Sequence, residues 1–150
     1  MLALSRSASK KSSEKIGFIN TEFLEGSIEN LDELDKDLNP LIGDKSVDII
    51  LSNCVLNLVN PESRNNLLRN IKRVLKNKGR IAISDIVSSK KVPLKLQNDH
   101  DLWTGCISGA GYEPEFLSDF KDLGFKNLEF AERSNAVSYT HLTLPTILRV

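Results

Sequence analysis

The chain has 150 residues, 40% of them hydrophobic, and its 20 Lys and Arg balance 20 Asp and Glu. This length and composition suit one domain with a single core, and zero net charge provides no overall attraction to nucleic acid or to an anionic membrane. A small, neutral ligand is the expected partner. The N-terminal apolar stretch is too short for a signal peptide and no later segment approaches a membrane span, so a cytoplasmic location is expected.

The first third of the chain carries two predicted elements. "NTEFLEGS" (residues 20–27) is a short strand candidate that ends in a turn at Gly26, and the acidic segment 31–45 is predicted to be a surface connection with a short helical piece. "SVDIILS" (residues 46–52) follows, with consecutive apolar and β-branched residues that are typical of a strand covered on both faces. Asn53 and Cys54 come directly after it.

A strand–helix–strand unit is predicted next. "PESRNNLLRNIKRVLKNKG" has apolar residues at helical spacing, Pro61 near its start and Gly79 just past its end, and "GRIAISDIV" (residues 79–87) repeats the buried-strand pattern. A helix over 113–124 and a strand over 125–132 follow. This alternation predicts an α/β fold with a doubly wound parallel sheet, in which ligands bind at the carboxyl ends of the strands.

The beginning of the chain departs from that fold. No GxGxG or GxGxxG segment is present, and residues 3–18 read like the end of a helix that runs into a strand. We therefore expect the chain to begin inside a larger domain.

The two cysteines are the candidate chemical groups. Cys54 ends a strand at the expected ligand edge, and Cys106 lies in the small-residue segment "GCISGAG". There is no CxxC and no neighbouring histidine, which argues against a zinc site and against a disulfide scaffold. Two free thiols at one cleft would suit a soft, thiophilic ion. Plain packing is the alternative, because free cysteine behaves as a small buried hydrophobe.

Four segments together strongly resemble arsenite methyltransferases, which transfer a methyl group from S-adenosylmethionine to trivalent arsenic. They are "SVDIILSNCVLNLV", "RVLKNKGRIAISDIV", "LWTGCISGA" and "EFLSDFKDLGF", within a match over residues 18–132. The second is shared by many methyltransferases, whereas "NCVLNL" and "GCISGA" are specific to this family. The resemblance implies a Rossmann-like class I methyltransferase fold, S-adenosylmethionine as cofactor, and Cys54 and Cys106 as thiolate ligands of arsenic(III).

The resemblance also implies how the other partners bind. Arsenic held by thiolates keeps a lone pair that attacks the methyl carbon, so the protein would mainly orient the reactants and exclude water. Ile28 would pack on the adenine ring, with Ser27 or Glu29 near its edge, and Asn53 would contact the amino-acid part or the ribose. Alternatively, Ser27 is a helix N-cap and Asn53 a turn residue. A thioredoxin- or glutathione-type reductant is a possible partner by analogy.

Three further residues have weaker signals. Trp103 either walls the arsenic pocket or belongs to the core. Asp85, at the expected end of the second strand, either closes the cleft or caps a turn. His100 follows a polar stretch and is read as a solvated loop residue.

Both ends of the chain depart from the family. The glycine-rich loop and the family's further upstream cysteines are missing, so residues 1–136 are interpreted as a partial methyltransferase domain from the third strand onward. Residues 137–150, "VSYTHLTLPTILRV", resemble translated adapter sequence, and neither Tyr139 nor His141 is assigned a function; a genuine strand is the alternative. We expect the chain as written to be inactive, to bind no S-adenosylmethionine saturably and to melt without cooperativity.

Two other functions remain open at this point. One is a methyltransferase acting on carbon or oxygen of a small organic acceptor, with both cysteines in packing roles. The other is a non-catalytic thiol module that captures arsenic(III).

Overall fold

The computed structural model describes residues 10–34, 37, 39–97, 99, 101–102, 106–131, 134–135 and 142–149. The helices are α1 (10–16), α2 (Pro61–Val74), α3 (Leu94–Gln97) and α4 (Glu113–Asp122). The strands are β1 (Val47–Asn53), β2 (Leu75–Ser88), β3 (Gly111–Tyr112), β4 (Glu129–Phe130), β5 (Ser134–Asn135) and β6 (Leu142–Arg149). None of the helices in these ranges is long and apolar enough to cross a membrane.

The sheet is built around β2. β1 and β3 pair with β2 in parallel, and β6 lies antiparallel between β2 and β4, with β5 also paired to β6. In the β1–β2 ladder, Asn53 is opposite Ser84. The predicted α/β class and the strand–helix–strand unit are confirmed, and β6 makes the sheet mixed.

Helix α2 connects β1 to β2. Asn60 caps it by accepting a hydrogen bond from the Glu62 amide (3.1 Å), and Pro61 occupies the first turn, where its missing N–H costs nothing. The helix buries one apolar face, comprising Leu67, Leu68, Ile71 and Val74. This stripe is the one that the helical spacing predicts.

The end of α2 differs from the prediction. The apolar spacing and Gly79 predict a helix that reaches the late seventies, but the helix stops at Val74 and β2 begins at Leu75. Leu75 joins the parallel ladder opposite Val47, and the Lys76 ammonium pairs with Asp48 of β1 at 2.7 Å. Pairing with β1 therefore outweighs the helical propensity of these residues.

The core lies between the sheet and helices α2 and α4. It contains Leu56, Val59, Leu67, Leu68, Ile71, Leu75, Ile81, Ile83, Val87, Phe116, Phe120 and Phe125. The Phe120 ring contacts those of Phe116 and Phe125 edge-on, with centroids 5.4 and 5.5 Å away, a favourable arrangement for aromatic quadrupoles. Helix α4 ends near Gly124 at φ +79°, as the predicted closing glycine requires.

Two strand predictions need correction, and the C-terminal segment follows its alternative interpretation. Residues 20–27 form no strand, because no described strand lies beside them; Ser27 instead begins a short 3₁₀ helix, Ile28–Asn30. The strand predicted over 125–132 is reduced to Glu129–Phe130. In the C-terminal segment, Leu142–Arg149 forms β6, as the alternative of a genuine strand expected; the interpretation of that segment as foreign stays a prediction.

One face of β1 is open among the described residues. Ile49 and Leu51 point to the same side, since side chains alternate along a strand, and they are 51% and 79% exposed. A doubly wound sheet normally has both faces covered, so this is an exposed apolar patch on an edge strand.

The double variant Ile49→Lys, Leu51→Lys should bind markedly less of the hydrophobic dye ANS and self-associate less, because two charges replace the apolar patch without touching the core. ANS fluorescence and light scattering measure this. Leu94→Lys, Leu96→Lys on α3 is the matched control, since both leucines are also exposed. An equal fall in the control would contradict a β1 patch.

Candidate functional site

Cys54 directly follows the carboxyl end of β1, as predicted. Its backbone N–H donates to the Ser84 carbonyl of β2 at 2.8 Å, which closes the ladder, and its φ of +52° turns the chain away from the sheet. A non-glycine residue at positive φ is uncommon and is held there by its surroundings. The thiol is exposed and donates to the Asn53 side-chain oxygen at 3.7 Å.

Cys106 is brought to Cys54 from 52 residues further along the chain, and its thiol donates to the Cys54 carbonyl at 3.5 Å. It is only 7% exposed, and it too has a positive φ, +60°. Burial raises the pKa of the Cys106 thiol, and the nearby Asp85 charge and the Cys54 thiol raise it further. Cys106 is therefore a neutral thiol at neutral pH.

Asn57 connects the two cysteine segments. Its side chain is fully buried, and its amide nitrogen donates to the Ile86 carbonyl at 2.7 Å and to the Cys106 carbonyl at 3.3 Å. "NCVLNL" and "GCISGA", the two segments that are specific to the resembled family, thus meet through one side chain. Sequence reasoning missed Asn57, although a single amide within "VLNLV" was an available signal.

Gly109 and Arg64 fix the other side of the Cys106 loop. A Cβ at Gly109 would lie 1.8 Å from the Asn57 carbonyl oxygen, so only glycine fits this approach. Arg64 of α2 donates to the Gly109 carbonyl at 2.8 Å, and burial lowers its pKa. Neither residue was identified from the sequence, because backbone contacts between distant segments leave no local pattern.

Asp85 is 1% exposed and lies within β2, which continues to Ser88 and does not turn there. The pairing register of β2 with β6 shifts between Asp85 and Val87. The Asp85 carboxylate accepts from the backbone N–H of Ile86 at 2.9 Å, within this irregularity, and from the backbone N–H of Asn57 at 3.2 Å, so it satisfies two backbone donors. Burial nevertheless raises its pKa, against the lowering effect of those bonds. Asp85 therefore supports the loop after β1.

Ser27, Ile28 and Glu29 form the predicted adenine-side segment. Ser27 is an N-cap that accepts from the Glu29 amide at 3.3 Å, as the alternative interpretation expected. Asn66 of α2 donates to the Glu29 carbonyl at 2.7 Å, so the turn is anchored to that helix. Ile28 is 42% exposed, which leaves its apolar side chain available to a ring. Within the described contacts, no hydrogen bond joins this segment to Asn53.

Other candidate residues are not placed. His100, Trp103, Tyr139 and His141 lie outside the described residues. In the part of the chain that the structure describes, no three His, Cys, Asp or Glu side chains cluster as for a metal ion. The arrangement that the structure brings together is a pair of thiols at the carboxyl end of β1.

Comparison with known proteins places the chain in a family. Residues 4–131 match the methyltransferase domain, and the chain belongs to that family. It is 32% identical over 120 residues to an arsenite methyltransferase of Halobacterium salinarum, and 37% identical over 114 residues to that of Mus musculus. These matches cover 80% and 75% of this chain but 28% of either relative, so the chain spans less than a third of their length.

Solved structures show the same fold. An arsenic(III) S-adenosylmethionine methyltransferase from Chlamydomonas reinhardtii aligns over 92% of this chain and 47% of its own, with a TM-score of 0.74 and 24% identity. An N1-methyltransferase of Burkholderia thailandensis with bound S-adenosylhomocysteine aligns over 95% of this chain and 56% of its own, with a TM-score of 0.58 and 17% identity. The predicted Rossmann-like methyltransferase fold, the resemblance to arsenite methyltransferases and S-adenosylmethionine as the family's cofactor are confirmed.

Gly109→Ala should expose the Cys106 thiol, because the new methyl group cannot fit beside the Asn57 backbone and the loop must move. In the unmodified chain, alkylation followed by mass spectrometry should label exposed Cys54 well before buried Cys106. We expect Gly109→Ala to speed labelling of Cys106 by about tenfold or more, since local opening is what limits a buried thiol.

Gly43→Ala is the matched control, because its Cβ would meet only the Ser46 Cβ at 4.0 Å. Equal labelling rates for Cys106 in both variants would contradict a loop held by Gly109.

Proposed function

We propose that this chain is part of an S-adenosylmethionine-dependent methyltransferase that methylates trivalent arsenic, with Cys54 and Cys106 as the thiol ligands of the arsenic. The observation that carries the proposal is the contact between two thiol-bearing loops, 52 residues apart, at the carboxyl end of a parallel strand. Ligands bind at this edge in open α/β sheets. The names of the curated relatives support arsenite as substrate.

The chemistry of the thiols fits that substrate. Sulfur is a soft ligand and prefers a thiophilic ion to hard cations. Arsenous acid and two S–H groups give an arsenic held by two sulfurs and one hydroxyl, while two waters leave, so no external base is needed. Cys54 is the exposed thiol and would take up arsenic first; Cys106, buried against Ile86 and Ala110, would then complete the pair away from water.

The cofactor-side residues fit an adenosyl group in part. Ile28 offers a half-exposed apolar surface for the ring, on a turn that Asn66 fixes to α2, and Asn53 presents an exposed amide beside Cys54. S-adenosylmethionine supplies an electrophilic methyl group when bound. Ser27, Ile28 and Glu29 would hold the adenine end, and Asn53 the part nearest the thiols.

Two further proposals concern the whole enzyme. Because the ligands must be free thiols, a thioredoxin- or glutathione-type reductant is the partner class that we propose. The chain contains no glycine-rich cofactor-binding segment of the GxGxG type. We therefore propose that these 150 residues alone do not catalyse methyl transfer.

Cys54→Ser and Cys106→Ser should each abolish tight arsenic(III) binding, since one remaining thiol cannot chelate. Mass spectrometry of the chain with stoichiometric arsenite measures the retained arsenic. In a longer chain that carries an upstream glycine-rich segment, each substitution should also reduce arsenite methylation by more than about a hundredfold, while binding of S-adenosylmethionine changes little.

The same variants test the alternatives. Cys106 packs with Ile86 and Ala110, as a purely structural cysteine would, and this favours a carbon or oxygen methyltransferase as second candidate. Full methylation of arsenite by either serine variant would contradict thiol ligation. Methylation of a small organic acceptor that both serine variants retain would support the second candidate. Arsenic binding without methylation by the longer chain would indicate a capture module.

Arsenic affinity should be flat through neutral pH and fall only at alkaline pH. Ligation of arsenous acid by neutral thiols exchanges no protons, whereas above the thiol pKa each thiolate must regain one. Since the pKa of Cys106 is raised, this thiol should stay protonated where both thiols of a small free dithiol ionise, so the fall should be less steep than for that dithiol. Competition with that dithiol across a pH series measures the difference; an equally steep fall would contradict the raised pKa of Cys106.

A further inference from the structure

A cavity of about 580 Å³ lies at the amino end of β2, at the opposite end of that strand from the cysteines. Along β2, Lys78 and Ser84 are separated by about 20 Å at about 3.3 Å per residue. The lining of this cavity, which we call the basic cavity, includes six cationic side chains: Lys45, Lys72, Lys76, Lys78, Arg80 and Lys126. Among the described residues, no acidic side chain lines the cavity, although the chain as a whole is neutral.

Most of this positive charge is uncompensated. Asp48 pairs with Lys76 at 2.7 Å, but Lys78, Arg80 and Lys126 make no ion pair with the described residues. Charge is therefore concentrated here and not balanced locally, unlike along ordinary solvated faces, where signs alternate.

Two of the ammonium groups are oriented by neutral partners. Lys45 donates to the Lys72 carbonyl at 3.2 Å. Lys72 donates to the Gly124 carbonyl at 3.4 Å and lies 4.6 Å above the centre of the Phe125 ring. Carbonyl and ring contacts hold the side chains in place without cancelling their charge. The cations are thus partly preorganised around the cavity.

We propose that the basic cavity binds a compact anion that carries a chain of phosphate groups. Several cations converge on one concavity whose volume suits a small ligand, whereas a single-stranded nucleic acid needs an extended groove. Asn77 and Asn127 in the lining add neutral N–H donors for phosphate oxygens. This site is separate from the thiol pair and does not depend on arsenic chemistry.

The test is a titration of the isotope-labelled 150-residue chain with inorganic tripolyphosphate, in sucrose buffer that favours the folded state, with a dispersed amide spectrum as the starting condition. Saturable shifts should be confined to the lining, that is to Lys45, Lys72 and residues 75–80 and 124–127, and the affinity should fall as salt is added. Lys78→Gln, Lys126→Gln should weaken binding about fivefold or more. The control variant Lys90→Gln, Lys95→Gln removes the same charge outside the lining and should change the affinity for tripolyphosphate less than about twofold.

The other arms distinguish the sources of the anion. Binding of ATP at least as tight as that of tripolyphosphate, with AMP much weaker, would support a nucleotide's phosphate chain; tighter tripolyphosphate would support a free oligophosphate. No saturable shift, equal losses in the two double variants, or tighter binding of a single-stranded oligonucleotide would overturn the proposal.

Discussion

The side-chain amide of Asn57 is the contact on which the geometry of the thiol site depends. It is fully buried and gives one hydrogen bond to each of two segments that are far apart in sequence, at the Ile86 and Cys106 carbonyls. A buried carbonyl without a donor costs about 1–3 kcal/mol, so losing this amide would leave both segments unsatisfied at once. The Cys106 loop has few alternatives, because Gly109 packs directly on the Asn57 backbone.

That network also maintains two unfavourable backbone conformations. Cys54 and Cys106 both have positive φ, and such positions cost on the order of 1–3 kcal/mol each when occupied by a residue with a Cβ. Asp85 contributes by accepting from the backbone N–H of Asn57, which anchors the turn directly after Cys54. The surrounding hydrogen bonds thus keep the Cys106 thiol against the Cys54 carbonyl.

The spacing of apolar residues along the sequence predicts the longer helices and strands well. β1, α2 and α4 follow from apolar spacing, but the prediction that β1 is covered on both faces is wrong, since none of its residues is buried. Cys54 was expected at the cleft because a strand ends at Asn53, and Cys106 because its small-residue segment is typical of a loop. The contacts that assemble the cleft could not be predicted, since Asn57, Arg64 and Gly109 act on backbone atoms of distant segments. The strand expected over residues 20–27 is absent for a related reason: a short segment forms a strand only where a neighbouring strand offers hydrogen bonds.

The zero net charge of the whole chain does not reveal that charge is unevenly distributed along β2. A neutral composition argues against a polyanionic partner only if positive and negative charges are evenly distributed over the surface. In β2 they are not, because the cationic residues lie in its amino half and the apolar residues lie mainly in its carboxyl half. Its carboxyl half, from Ile81 onward, is mostly buried and raises the pKa of the thiol that packs beside it, whereas its amino half is exposed and carries Lys76, Lys78 and Arg80. One strand therefore has a buried end that favours the neutral form of the Cys106 thiol and a solvated end that favours anions. The two ends are separated by more than the Debye length of about 8 Å at physiological salt, so their electrostatics act independently.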